Sequence, residues 1–390
     1  MTPKRPSQTR SQPPNERREP LPYFVTAAKG TEGLLKAELR ELRIFPVQGD
    51  RGGVHFGGGL ENAFRVCLWS RIGVRVLERR FDARIRSESE LYDLIWDHDA
   101  SDLLDPSRTL AVTALVKSSA LTHSQFVSRR VKDAIVDRQR EQYRRRSDVN
   151  PSDPDVHFVV RLANNELTLY ADLSGEPLHR RGYRTSGGVA PIKENLAAAL
   201  LRKAGYDGTK PLYDPCCGAG TILCEAALIA QRRAPGLLRD QFGLERFVRF
   251  SASDQSQCHE LRDQARSEAI EGPVAPLSGS DIDLDALERA KQNLRRLGVS
   301  AQLGRRDVLQ MTPPETPGLV VTNPPYGVRL EGGEQFDLRL AQALNRWQGQ
   351  RIVVLTQERE FARYYGQRPM FEHTLYNGDL ECRVFGWDNA

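Results

Sequence analysis

The sequence predicts an α/β protein in which two N-terminal α+β units precede a mostly parallel sheet with helices on both faces. Three patterns carry that expectation. In the second half, apolar strand runs alternate with helix-period segments, the order of a sheet wound by crossover helices. In the first half, short strands and amphipathic helices follow one another between turn residues, with no repeat at solenoid periods. At 390 residues with 39% hydrophobic side chains, the chain is long enough for two or three cores.

Residues 1–20 are polar, Pro-rich and nearly devoid of apolar side chains. Such a segment cannot offset the entropy of ordering and reads as a disordered basic tail. Order should begin near Leu21. There YFVTAA reads as a strand, and GTEGLLKAELREL follows with Leu34, Leu35, Leu39 and Leu42 at helical spacing. With the short strand Gly53–Phe56, a helix around Ala63, Val66 and Cys67, and the extended RVLERRFDARI, residues 21–81 read as a ferredoxin-like split of two helices and four strands. Residues 82–175 form a second α+β unit: helix Glu90–Trp96, strand Thr109–Lys117, helix Thr122–Arg145, and strands His157–Leu162 and Glu166–Asp172. The last two meet at Asn164-Asn165, which tolerate positive φ.

Residues 176–189 read as a linker, and 190–390 as the wound sheet. Its elements are helix Ile192–Ala204, strand Pro211–Asp214, helix Thr221–Arg232, strand Pro276–Ser280 and helix Leu284–Leu297. Strand Gly318–Thr322, helix Gln335–Arg346 and strand Arg351–Thr356 follow, and a terminal hairpin turns at Asn377-Gly378. Residues 233–274 exceed what a crossover needs and read as an insertion containing APGLLRDQFGLERF.

The net charge of +5, from 56 basic against 51 acidic residues, is too mild to identify a partner, so placement matters more than sum. The helix around 128–146 sets Val127, Val131, Ala134 and Ile135 on one stripe and fills the rest with Arg129, Arg130, Lys132 and other cations. A solvated face explains this as well as a phosphate-contacting one does. A second cluster, His179, Arg180, Arg181 and Arg184, lies between units, a placement that favours RNA contact. The six cysteines show neither a disulfide framework nor paired C-x-x-C ligands, and no His/Cys cluster calls for metal. No run of about 18 apolar residues could span a bilayer, and no apolar signal core opens the chain. A soluble, cytoplasmic protein is expected.

Three segments carry chemistry. In PLYDPCCGAGTILCEAA a strand ends at Asp214, Gly218 and Gly220 turn sharply, and a helix starts at Thr221 with its amide donors facing the loop. The phosphate-loop lysine and the third dinucleotide glycine are both missing, which disfavours ATP and NAD. The pattern suits a ligand with methionyl and ribose parts, with Asp214 near the amino acid portion. In GSDIDLDALERA, Asp281 ends a strand where a carboxylate can take both ribose hydroxyls. Asp283 and Asp285 read as helix N-terminal charges, and Asp307 as an acceptor for an adenine amino group or a surface acid. In VVTNPPYG a buried strand delivers Asn323 to its end. The Asn323 side-chain oxygen and the Pro324 carbonyl can each accept one hydrogen of an exocyclic amine, drawing its nitrogen toward tetrahedral geometry. Pro324 and Pro325 fix the backbone, and Tyr326 can stack on the base, worth about 1–3 kcal/mol. Cys216 and Cys217 read as packing groups.

These segments resemble the THUMP-domain class I methyltransferases of the RlmL type. The resemblance runs from about Tyr23 to the end, through KGTEGLLKAEL, VSRRVKDAIVDR, DLSGEPLHRRGYR, APIKENLAAALL, DPCCGAGTILCEAALIA and NPPYGVRL. It implies a ferredoxin-like domain, a THUMP RNA-binding domain and a Rossmann-like catalytic domain that uses S-adenosylmethionine. It further implies that Asp214, Cys216, Gly218, Gly220, Thr221, Asp281 and Asp307 bind cofactor, that the Pro191 region closes over it, and that Asn323 to Tyr326 hold the target base. The expected reaction is guanine-N2 methylation of RNA, with 23S ribosomal RNA favoured over tRNA by the APGL insertion. The rivals are an adenine-N6 DNA methyltransferase, which lacks a visible target-recognition domain here, and a non-catalytic RNA-binding assembly factor.

Overall fold

The computed structural model describes residues 21–184, 192–270, 275–325 and 333–389. The expectations for residues 1–20, Pro191 and Tyr326 lie outside them. The first half runs β1 (Tyr23–Ala27), α1 (Glu32–Glu41), β2 (Val47–Asp50), β3 (Gly53–Phe56), α2 (Leu60–Trp69) and β4 (Gly73–Arg84). It continues with α3 (Glu88–Asp97), β5 (Leu110–Lys117), α4 (Ser124–Tyr143), β6 (Val156–Ala163) and β7 (Glu166–Asp172). Asn164 and Asn165 have φ of 54° and 64°, the left-handed pair that a two-residue hairpin turn requires.

One feature of this half has no counterpart in the sequence patterning. The strands form a single seven-stranded sheet in the order β2-β3-β1-β4-β7-β6-β5. The twelve-residue β4 runs through residue 81 and pairs antiparallel with β7 from Leu77↔Asp172 to Arg84↔Glu166. The two α+β units therefore share one sheet and one continuous core, from Val25 and Leu39 to Val131, Phe158 and Leu169.

The second half runs α5 (Glu194–Ala204), β8 (Leu212–Asp214), α6 (Thr221–Ala230), α7 (Ala252–Ser267), β9 (Leu277–Asp281), α8 (Leu284–Arg296) and β10 (Gln302–Arg305). Then come β11 (Gly318–Thr322), α9 (Gly333–Asn345), β12 (Gln350–Thr356), α10 (Phe361–Tyr365), β13 (Phe371–Asn377) and β14 (Leu380–Asp388). The sheet order is β10-β9-β8-β11-β12-β14-β13, with the first five strands parallel and the last two antiparallel. Successive residues of the central strands enter different cores. Val321, Val353 and Leu355 pack with Leu196, Leu200 and Leu223, whereas Val320, Ile352 and Val354 pack with Leu340, Leu344 and Trp347. Burial on both faces explains why these strands read as unbroken apolar runs.

The insertion is the mortar between the halves. Phe242 meets Phe64 of α2 edge-on at 5.4 Å, and Arg262 lies over both rings. Leu244 N donates to Leu173 O at 3.0 Å, and Val248 N donates to Leu103 O at 3.1 Å. The Arg249 guanidinium reaches both Glu78 oxygens and Asp102. Gly243 allows a close approach: a Cβ there would sit 2.7 Å from Gly175 N and 3.0 Å from Asp172 O, both backbone atoms. We expect Gly243→Ala to cost about 1–3 kcal/mol, as overpacking against atoms that cannot move does. Thermal unfolding should show a lowered midpoint; an unchanged one would mean that this seam is looser than described.

Candidate active site

Because β10, β9, β8 and β11 are parallel neighbours, their C-terminal ends lie side by side, spread over roughly 14 Å at the usual strand spacing. Those four ends release Asp307, Asp281, the Asp214–Gly220 loop and Asn323, respectively. The edge is where ligands bind in sheets of this kind.

The glycine loop is held from below and open above. Cys217 N donates to Ser280 O at 2.9 Å and Gly220 N to Cys217 O at 2.8 Å, while Asn293 Nδ2 donates to Ala219 O at 2.9 Å. Gly220 adopts φ 74° at the start of α6 and approaches Ala290 so closely that a Cβ would lie 2.9 Å from that methyl. Gly218, at φ 52°, faces open space instead. A side chain there would fill the cradle that a ligand needs.

Asp281 holds this loop rather than merely standing beside it. Its Oδ2 accepts from Gly218 N at 2.8 Å and its Oδ1 from Asp283 N at 3.0 Å, which leaves lone pairs on both oxygens for hydroxyl donors. Asp214 is buried; its Oδ1 accepts from Thr322 Oγ1 at 2.8 Å and from Cys216 N at 3.2 Å. Burial, reinforced by the repulsion of Asp281, pushes its pKa up to about 7 despite those two donors. Asp307 caps its own 3₁₀ turn, accepting from Leu309 N at 3.0 Å and Gln310 Nε2 at 2.9 Å. Asp283 caps α8 through Asp285 N, as expected.

At the end of β11, Asn323 Oδ1 is buried and has no hydrogen-bond partner among the described residues. A buried acceptor left unpaired costs about 1–3 kcal/mol, so this atom is open to a donor that the described residues do not supply. Pro324 beside it is buried and Pro325 half-buried. The Cys217 thiol is buried, and burial pushes both it and the Cys216 thiol far up, leaving them unreactive packing groups. Among the described residues no group of His, Cys, Asp and Glu could hold a metal ion.

The expected RNA contacts divide. Arg129 is exposed, and Arg180 is exposed beside Glu176. Arg130 is occupied, at 3.2 Å from Glu88 and stacked over Tyr92, and Lys132 pairs with Asp133. Arg181 and Arg184 need correction. Arg181 is 1% exposed, forms an ion pair with buried Glu225 at 3.3 Å, and donates to Leu178 O at 2.7 Å and Arg71 O at 2.6 Å. It cannot reach a phosphate. Arg184 bridges Ile192 O, Thr221 Oγ1 at 2.9 Å and Glu194 at 3.0 Å, so it braces the first residue of α6. A basic run looks the same in sequence whether its charges meet solvent or buried carboxylates. Thr322 and Glu225 carried no sequence signal of their own.

The site suits a ligand that brings a cation and hydroxyls: two carboxylates stand at one edge, a glycine cradle opens above them, and an unsatisfied acceptor waits on the next strand. A cation would draw the proton from Asp214. Its raised pKa means that the folded chain binds this proton more tightly than the unfolded one, so its contribution to stability is full below about pH 4 and is lost as pH rises through about 7. The difference in stability between wild type and Asp214→Asn, followed by denaturant unfolding from pH 4 to 8, should carry that slope. A difference that does not vary with pH would show that Asp214 titrates alike in the folded and the unfolded chain.

A family model described as an RMKL-like methyltransferase domain matches residues 181–385; models described as an RlmL ferredoxin-like domain and a THUMP domain match 22–77 and 86–172. A Ribosomal RNA large subunit methyltransferase K/L from Syntrophotalea carbinolica is 39% identical over 387 residues, covering 95% of this chain and 54% of that one. A Synechocystis sp. protein, slr0064, provisionally named an RNA methyltransferase, is 35% identical and covers 94% of this chain and 96% of its own length. The crystal structure of SMU.472, provisionally called a methyltransferase and complexed with SAH, has a TM-score of 0.83 at 27% identity, covering 95% of this chain and 98% of that one. The chain thus spans about half the length of the large-subunit relatives it matches.

Proposed function

The chain belongs to the RMKL-like methyltransferase family, and on that premise we propose that it methylates the exocyclic N2 of a guanine in RNA, with 23S ribosomal RNA as substrate. The cofactor is S-adenosylmethionine, which supplies a methyl group activated by its sulfonium. The observation that carries the reading is the buried Asn323 Oδ1, without a partner among the described residues, at the end of the strand next to the glycine loop.

An exocyclic amine is a poor nucleophile because its lone pair is delocalised into the ring. Asn323 Oδ1 and the Pro324 carbonyl accept its two hydrogens, which localises the lone pair and directs it across to the cradle. Gly218 leaves room that the cofactor could occupy, Asp281 would accept from its ribose hydroxyls, and an ionised Asp214 would pair with its ammonium. No strong base is needed, since a methylated aromatic ammonium loses its proton readily. Catalysis then rests on positioning and preorganised acceptors. The RNA half of the proposal is supported by the THUMP match over 86–172 and by the name of the large-subunit relatives.

Nucleoside mass spectrometry of ribosomal and transfer RNA from a strain lacking the gene should show loss of N2-methylguanosine from 23S RNA. Loss confined to tRNA, or loss of N6-methyladenosine instead, would overturn the substrate or the base. In the purified protein, Asn323→Ala should lower turnover by roughly 10²-fold or more while S-adenosylhomocysteine still binds, and Cys217→Ser should be nearly silent. A dead, folded Cys217→Ser enzyme would contradict the packing role of that thiol.

A further inference from the structure

Asp337 is a buried carboxyl that neither the fold nor the cofactor site uses. It lies on α9 in the stripe it shares with Leu340, Ala341 and Leu344, whose other members fill the apolar core. Its exposure is 7%. Its one hydrogen bond among the described residues is a long one, accepted by Oδ1 from Thr356 Oγ1 at 3.5 Å. Oδ2 has no partner among those residues. A carboxyl this buried would ordinarily be paired or replaced by an apolar group.

Its position gives it a use. Thr356 is the last residue of β12, which pairs in parallel with β11 in a register that ends at Thr322↔Val354. Continued two residues, that register brings Thr356 level with Pro324. Asp337, on α9, is therefore anchored at the C-terminal end of β12, beside the end of β11 that carries Asn323, whose buried Oδ1 has no donor among the described residues. Burial, with the nearby Glu358 carboxylate, raises the Asp337 pKa to about 6, so the group is ionised at neutral pH.

Two purine amines could be held by Asn323 and Pro324, and the ring atom beside each distinguishes them. Next to N2 of guanine is N1–H, a donor. Next to N6 of adenine is a bare N1, an acceptor. A carboxylate beside the amine satisfies the first and repels the second, and leaves the second buried without a donor. We propose that Asp337 accepts the N1–H of the target base and so restricts the site to guanine. The inference rests on the guanine-N2 reading above and names the residue that would enforce it.

The test uses 2-aminopurine, which keeps the exocyclic amine at C2 but carries no hydrogen on N1. The RNA is a fragment containing the guanosine at which the wild-type enzyme deposits methyl, made with either base at that position. Wild type should prefer guanine by on the order of 10³-fold or more in kcat/KM, as sites built around a donor do when it is missing. D337N can donate to the bare N1. It should lose roughly 10²-fold on guanine, and its preference over 2-aminopurine should shrink or invert while S-adenosylhomocysteine affinity and melting temperature stay near wild type. Should D337N not fold, D337S carries the same measurement. Wild type that methylates some other atom overturns the guanine-N2 reading and this inference together. Wild type that forms N2-methylguanosine while a folded D337N or D337S keeps the wild-type base preference overturns this inference alone.

Discussion

The hydrogen bond from Thr322 Oγ1 to Asp214 Oδ1, 2.8 Å long and fully buried, ties together the two strand ends on which the proposed chemistry depends. One end carries the glycine loop and the other carries Asn323. Parallel pairing of β8 with β11 makes them neighbours, and this bond fixes how their ends diverge. A donor methyl over one loop and an acceptor nucleus at the other must meet within about 3–3.5 Å for transfer. A shift of either strand end by a residue would therefore separate them. Asp214 also links this brace to the cofactor side, because its carboxyl accepts from Cys216 N at the root of the glycine loop.

The same economy extends to the junction of the halves. Glu225, wholly buried on α6, receives Arg181 and Tyr183 from the connecting segment, and Arg184 reaches Thr221 at the start of that helix. Arg181 in turn donates to Arg71 O, just before β4. Removing one partner of a buried pair costs about 3–5 kcal/mol. The first-half sheet, the connecting segment and the helix after the glycine loop are thus fastened through one ionic cluster. The insertion makes a second seam along α2, β7 and the segment before β5. Contacts made along the first half are held at a fixed offset from Asn323 by these two seams.

Much of this was legible in the sequence because its signals are local. The glycine loop, Asp281 and Asn323-Pro324-Pro325 announce themselves by residue type at a strand end, and the apolar runs of β11 and β12 by burial on both faces. The Asn164-Asn165 turn followed from what those residues tolerate. What stayed hidden depends on contacts between distant segments. Nothing in residues 73–84 distinguishes a strand that ends a unit from one that fuses two units into one sheet. The charges of Arg181 and Arg184 look like those of Arg180, yet Glu225 and Thr221, which they meet, lie about forty residues further on and inside the protein. Asp337 is one polar residue in an apolar helical stripe, and only the fold shows that it meets Thr356 at the end of β12.

In the proposed reaction two oxygens at the end of β11 grip an amine and present it to the loop after β8. The most direct measurement is a crystal structure of the protein with S-adenosylhomocysteine and the target RNA fragment, read at the methyl-accepting nitrogen. That nitrogen should lie at hydrogen-bond distance, about 2.7–3.2 Å, from both Asn323 Oδ1 and the Pro324 carbonyl, facing the sulfur over Gly218. An accepting atom held elsewhere, with Asn323 turned away from the base, would contradict it.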